Sequence, residues 1–165
     1  MTDPRIDQLA ATPKTLAHLL AEATDDRLDA SIDGGWSART VVAHLRDDEY
    51  LCMRVALERA LAEDTPEVCF IEGADWVWNR NTTRDRKELL LADFALQRQA
   101  SVSILRMLRP ADWDRSMRSG ERSPFTISRL LDGWLRHDAE HVAQLESALG
   151  ETLDDVLKRR ARMAE

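Results

Sequence analysis

The sequence predicts an all-α protein, a four-helix bundle with a short extra helix at its C-terminus. Three observations lead there. Apolar residues recur with the 3.6-residue period nearly throughout, and no stretch keeps the period-2 alternation of a half-buried strand. Four long amphipathic stretches stand between capping residues and stop signals. The 165 residues suit one domain, 1–165, with a single sizeable core, and no repeat, low-complexity tract or Pro/Gly-rich linker divides them.

Each element has its own local cause. Asp3 before Pro4, and Thr12 before Pro13, both place a capping side chain ahead of a proline suited to the first helical position, and Leu16, Leu19 and Leu20 carry the helix to about Ala23. Ser37 caps the second helix, with Trp36 placed to pack on Val41 as a hydrophobic staple, and the pattern runs from Ala38 to about Ala62. The stretch EDTPEVCFIEGADWVWNRN is a loop of turn formers and aromatics that ends where Thr82 or Thr83 caps a third helix. That helix reaches about Arg109, and Pro110 stops it. Thr126 caps the fourth helix, with Phe125 placed to pack on Leu130, and Gly150 ends it before the short terminal helix LDDVLKRRARMAE. Two connections are too long for simple hairpins, so at least one crosses the bundle or covers an end.

Charge and composition narrow the function classes. A formal net charge of -7 and a pI near 5.2 disfavour phosphate backbones and anionic lipids. The densest basic stretch, Arg106 to Arg122, is diluted by Asp112, Asp114 and Glu121 and reads as a solvated face. No apolar run approaches the ~20 residues of a membrane span, and no signal-peptide core follows the first residues, so a cytoplasmic protein without nucleic-acid or membrane partners is expected. Cys52 and Cys69 are not in a CxxC spacing; Cys52 lies on an apolar stripe and reads as a small core residue rather than a nucleophile.

Sorting residues by helix face, at ~100° per residue, brings out the chemistry. On the fourth helix the apolar stripe is Ile127, Leu130, Leu131, Trp134, Leu145, Ala148 and Leu149. His137 and His141 fall inside it, ~40° apart, with Asp138 inside on the other flank and Glu140 pointing outward. On the second helix the stripe is Val41, Leu45, Leu51, Cys52 and Val55, and the polar residues within it are His44 and Asp48. Burying such groups without partners costs several kcal/mol, on the order of 2–7 for a neutral polar group, so they must satisfy one another or hold an ion. Histidines at i and i+4 can share one metal ion, and His44 from a facing helix makes three nitrogen ligands with positions left open. His18 lacks such company and reads as a surface residue. The spacing HDAEH also matches the HxxEH pattern of inverted zinc peptidases, but an outward Glu140 and a small all-helical chain argue against it.

The stretches GGWSARTVVAHLRDDE (34–49) and TISRLLDGWLRHDAEHVAQLESAL (126–149) resemble the DinB-like family of metal-binding four-helix bundles. The motifs W-S-x-x-x-V-x-x-H-L and H-D-x-x-H followed by Gln144 carry the resemblance, which spans most of the chain. It implies His44, His137 and His141 as ligands, an up-down-down-up topology and homodimers. The family includes mycothiol- and bacillithiol-dependent enzymes, so the resemblance implies a divalent metal, zinc or nickel first and iron or manganese after them, with a small thiol and an electrophile as partners. The expected function is a metal-dependent thiol S-transferase; a non-catalytic metal- or ligand-binding bundle is the alternative, and a metal-dependent hydrolase using Glu140 or Asp138 as base the third. Asp48 is placed to orient a ligand or bound water or to close the coordination, Gly133 to let a ligand or helix approach, and Trp76, Trp78 and Arg80 to form a lid or plug.

Overall fold

The computed structural model describes residues 3–31, 35–71, 76, 85–121 and 123–163. Helix α1 spans Pro4–Leu19, capped by the Asp3 carboxylate on the Arg5 amide. It is one continuous helix, so Thr12 does not start a second one. Pro13 sits inside it and cannot donate to the Leu9 carbonyl, and the Arg98 guanidinium fills that vacancy at 2.9 Å. The Thr12 hydroxyl instead donates to Asp138 at 2.6 Å. A short helix not foreseen from the pattern, α2 (Asp25–Asp29), follows under a Thr24 cap.

Helix α3 (Ala38–Asp48) begins where Ser37 accepts the Thr40 amide at 3.2 Å, then passes through a π-helical turn (Glu49–Met53) into α4 (Arg54–Ala62). The wider turn advances the register by one residue and rotates the inward face. Leu51 and Val55, expected inside, are therefore 43% and 39% exposed, and Met53, Ala56, Leu57 and Ala60 take their places. Helix α5 spans Lys87–Arg106; its expected capping residues, Thr82 and Thr83, lie outside the described residues. Pro110 opens a 3-10 turn, and two-residue strands β1 (Ser116–Met117) and β2 (Phe125–Thr126) pair antiparallel before α6 (Ile127–Leu149). Thr126 accepts the Arg129 amide, and Gly150, with φ 64°, ends α6 in the left-handed conformation that glycine adopts without strain. Helix α7 (Leu153–Met163) packs back on α1.

Contacts between helices fix their directions. Arg5 and Asp132 join the starts of α1 and α6, at 2.7 Å, so these two run parallel. Lys87 at the start of α5 donates to the carbonyls of Leu20 and Ala23 just past the end of α1, so α1 and α5 run oppositely. Arg39 donates to Asp85 just before α5 and Arg54 to Gln97 within it, whereas His44 meets His137 and Glu49 meets Trp134 in reverse order along α6. The result is an up-down-down-up bundle. Helices α1 and α3 each pack against both α5 and α6, so the connections from α1 to α3 and from α5 to α6 cross the ends diagonally. The α4 to α5 connection must be long because parallel neighbours need a return path.

Two apolar clusters fill the bundle. One gathers Leu16, Leu20, Val41, Leu45, Phe94 and Leu145, the other Leu9, Met53, Leu57, Leu105, Ile127 and Trp134. Between them lies a polar layer. Arg98, 1% exposed, donates to Glu49 at 2.9 Å and to both oxygens of Asp138 at 2.5 and 2.9 Å. With the Leu9 carbonyl this one guanidinium ties α5 to the other three helices of the bundle.

Candidate metal centre

The histidines stand at the level of the polar layer, where α3 faces α6. Four residues along α6 bring His137 and His141 onto one flank, with Nε2 atoms 3.2 Å apart. His44 arrives from α3 with its Nε2 3.1 Å from that of His137, and the three side chains offer ligand atoms all within 4.8 Å of one another. Tetrahedral zinc with Zn–N bonds of ~2.0–2.1 Å separates its nitrogens by about 3.3 Å, close to these spacings. The ring orientations also fit an ion. Gln144 lies 2.9 Å from His141 Nδ1, and with its Oε1 accepting, His141 is protonated on Nδ1 and turns an Nε2 lone pair into the site. Three such nitrogens crowded within 4.8 Å repel one another unless they share a cation, and His44 Nδ1, buried, has no hydrogen-bond partner among the described residues.

Aromatic rings hold the arrangement. Trp36 stacks on His141 with centroids 6.0 Å apart and meets His44 edge-on at 4.9 Å. It thus walls the site, beyond the staple role on Val41 read from sequence. Trp76 is buried against His44 and donates its indole N–H to Asp47 at 3.1 Å, which makes it a plug rather than a lid. Trp78 and Arg80 lie outside the described residues. His18, half-buried near the end of α1, is not part of the cluster.

The carboxylates divide by partner. Asp48 Oδ2 lies 3.8 Å from His137 Nε2, beside the nitrogens but outside the group of three. Burial raises its carboxyl above the usual range, opposed by a hydrogen bond from Cys52. Cys52 is a buried core residue, its thiol pushed up to about 12 by burial and by Asp48. Asp138, expected beside the metal, instead gives its oxygens to Arg98 and Thr12; the guanidinium opposite it captures the carboxylate. Glu140 is exposed and 3.8 Å from Arg136, but it lines the cleft at the site. Glu49 and Arg98 were not singled out from sequence. The available signal was Arg98 on the stripe of Leu90, Phe94, Ser101 and Leu105, a charge on an otherwise inward face.

The histidines form the base of an open cleft of about 640 Å³, also lined by Trp36, Asp48 and by Arg129, Leu130, Asp132, Gly133 and Trp134 of α6. Burial, followed by the neighbouring histidines, lowers His44 to about 3; burial and His141 lower His137 to about 3 as well. Both stay neutral in the fold far below their ordinary value of 6.5, while the unfolded chain takes up those protons near 6.5. Their neutrality therefore supports the metal-free fold fully above about pH 6.5 and progressively less as pH falls toward about 3. Asp48, shifted upward, acts in the opposite direction, so the test compares variants. In EDTA-treated protein, the thermal midpoint of the parent should fall more between about pH 7 and about pH 5 than that of His44→Gln/His137→Gln. Equal acid sensitivity would remove the pair from this role.

A helical bundle whose two facing helices converge three imidazoles at the base of a cleft is a candidate metallo-bundle by its donor set alone. The chain belongs to the DinB superfamily, whose sequence model matches residues 8–145. It is 27% identical over 149 residues to the Bacillus subtilis protein named "Putative metal-dependent hydrolase YfiT", covering 90% of this chain and 74% of that one. A protein of Oceanobacillus iheyensis carrying the same description is 24% identical over 145 residues, with 86% and 82% covered. The solved structure of YfiT, described as a probable metal-dependent hydrolase with an unusual four-helix bundle topology, superposes with a TM-score of 0.80 at 23% identity, over 91% of this chain and 88% of that one. At that identity the superposition speaks for the fold. No helix among the described residues is long and apolar enough to cross a membrane.

Proposed function

We propose that this chain binds one divalent metal through His44, His137 and His141 and uses it to transfer a small thiol to an electrophile. The observation that carries the reading is the three-nitrogen set at the base of the cleft: His44, His137 and His141 would hold the ion beside the space a substrate would enter, with no fourth protein nitrogen or sulfur in the group among the described residues. When bound, such a cation lowers the pKa of a thiol enough to hold it as thiolate near neutral pH. The chain's own groups then have distinct tasks. Gln144 orients His141, and Trp36 and Trp76 fix the rings and keep water from their backs. Asp48, beside His137, is placed to take the thiol proton or hydrogen-bond an incoming group. Sulfur then bonds to the electrophilic carbon as that carbon's leaving group departs or its strained ring opens. Thiol and electrophile are thus the partners of this reading, with two copies of the chain as the assembly the family resemblance implies.

Hydrolysis is the second reading, favoured by the names of the relatives and by a buried carboxylate at the position of Asp48. Glu140 and Asp138 suit it less well as bases, the first exposed beside Arg136 and the second committed to Arg98.

One assay separates the readings. Mycothiol, bacillithiol or glutathione is offered with monochlorobimane and with an epoxide, and ester hydrolysis is followed without thiol. Conjugation by the metal-loaded parent should greatly exceed that by His141→Ala; equal rates with every thiol reject the transferase, and metal-dependent ester cleavage without thiol establishes the hydrolase. Asp48→Asn should lower metal affinity or activity by roughly 10- to 100-fold. A variant as tight-binding and active as the parent would leave Asp48 without a role at the site.

A further inference from the structure

Helix α6 carries one glycine on the face that lines the cleft. Gly133 precedes His137 by about one helical turn, and apart from its two chain neighbours and its own helix backbone no described residue comes within 4 Å of where its Cβ would stand. A glycine inside a helix is less favourable than alanine, and close packing is the usual structural reason for one. Here no described helix or side chain uses the gap, which opens into the cleft instead. Past the gap the wall is mixed. Met53, Phe70, Ile71, Phe125, Leu130 and Trp134 supply apolar surface beside the polar Ser123, Arg129 and Asp132, and the rings of Phe70 and Phe125 lie 6.4 Å apart. At 1.5 Å per residue, Gly133 stands ~6 Å and Leu130 ~10 Å along α6 from His137.

We infer that the gap at Gly133 seats an aryl or alkyl arm of the substrate, extending from the reacting atom at the histidines to the apolar surface at Leu130 and Phe125. The inference rests on the reading of the cleft as a substrate site and adds the class of substrate: apolar, and long enough to span two helical turns from the reacting centre. A side chain at position 133 would occupy the path of that arm, bordering the His137 ring one turn on.

The probe is 1-anilinonaphthalene-8-sulfonate, titrated by fluorescence into the full-length parent, Gly133→Ala, Gly133→Leu and His18→Ala. Gly133→Leu should weaken binding at least about tenfold, the loss expected when roughly two methylene equivalents are no longer buried. Gly133→Ala should bind more weakly than the parent yet melt about 2–4 °C higher, because alanine is the better helix former and meets no obstacle. His18→Ala, apart from the cluster and the cleft lining, should bind the probe as the parent does. Unchanged affinity in a folded Gly133→Leu overturns the seat, and so does unfolding of Gly133→Ala, since the space would then not be open. The expected probe results combined with thiol conjugation indifferent to His141→Ala would keep the seat and reject the transferase. Conjugation lost in His141→Ala with probe affinity unchanged in Gly133→Leu would reject the seat alone.

Discussion

His137→Ala is expected to abolish stoichiometric metal while leaving the helical circular dichroism intact. His137 is the centre of the cluster: its Nε2 lies within 3.2 Å of the Nε2 of both other histidines, so its loss leaves two donors on different helices with nothing between them. The loss should exceed the roughly 10- to 100-fold that a supporting partner contributes, since a donor itself is removed. Heat denaturation gives a second readout. At a metal concentration ~1,000 times Kd, binding stabilises the native state by about 4 kcal/mol. For a chain of this size that corresponds to a rise in the midpoint of roughly 8–16 °C. The parent should show that rise, His137→Ala should not, and His18→Ala should match the parent because His18 is apart from the cluster. Metal retained by His137→Ala at one equivalent, measured by elemental analysis of untagged protein, would overturn the ligand assignment.

Arg98→Met should be the most destabilising single substitution in the polar layer, by roughly 3–5 kcal/mol in urea unfolding. The guanidinium is the shared partner of Glu49, Asp138 and the Leu9 carbonyl, all away from water. Methionine fills the volume but leaves two carboxylates facing each other without a cation, and it strands the carbonyl that Pro13 already left without an amide donor. Arg98→Lys should recover only part of the loss, because one ammonium cannot reproduce the guanidinium fork. Adding Glu49→Gln and Asp138→Asn to Arg98→Met should restore some stability by removing the stranded charges. A change in Arg98→Met below about 1 kcal/mol would show that the layer is hydrated in solution and not the tie between helices described above.

Much of the bundle was legible because its causes are local. Ser37, Thr126 and Gly150 act on backbone groups within a few residues, and each ends or begins a helix where its chemistry requires. His44, His137 and His141 were legible as inward-facing because helical geometry alone puts them on apolar stripes. What local pattern could not carry was the phase beyond position 49. A π turn is invisible to a count made at 100° per residue, and one added residue was enough to turn Leu51 and Val55 outward.

The division of the charged groups was also beyond the sequence. Asp48 and Asp138 look alike on their helices, each a carboxylate flanking histidines, yet one stands beside the ligand nitrogens and the other is bound to Arg98. Which fate each meets depends on what α1 and α5 present across the core, from residues 40 and 126 positions distant in the chain. Thr12 and Pro13 show the same dependence: locally they read as a helix start, and only the arrival of Arg98 at the Leu9 carbonyl lets the helix continue through them. The sequence by itself determined the helices, their inward stripes and the three imidazoles, because helix caps and period act within one or two turns. The tertiary structure alone decided the register after the π turn, the pairing of the buried charges and the open gap at Gly133, because each is settled by side chains meeting across helices that the sequence keeps apart.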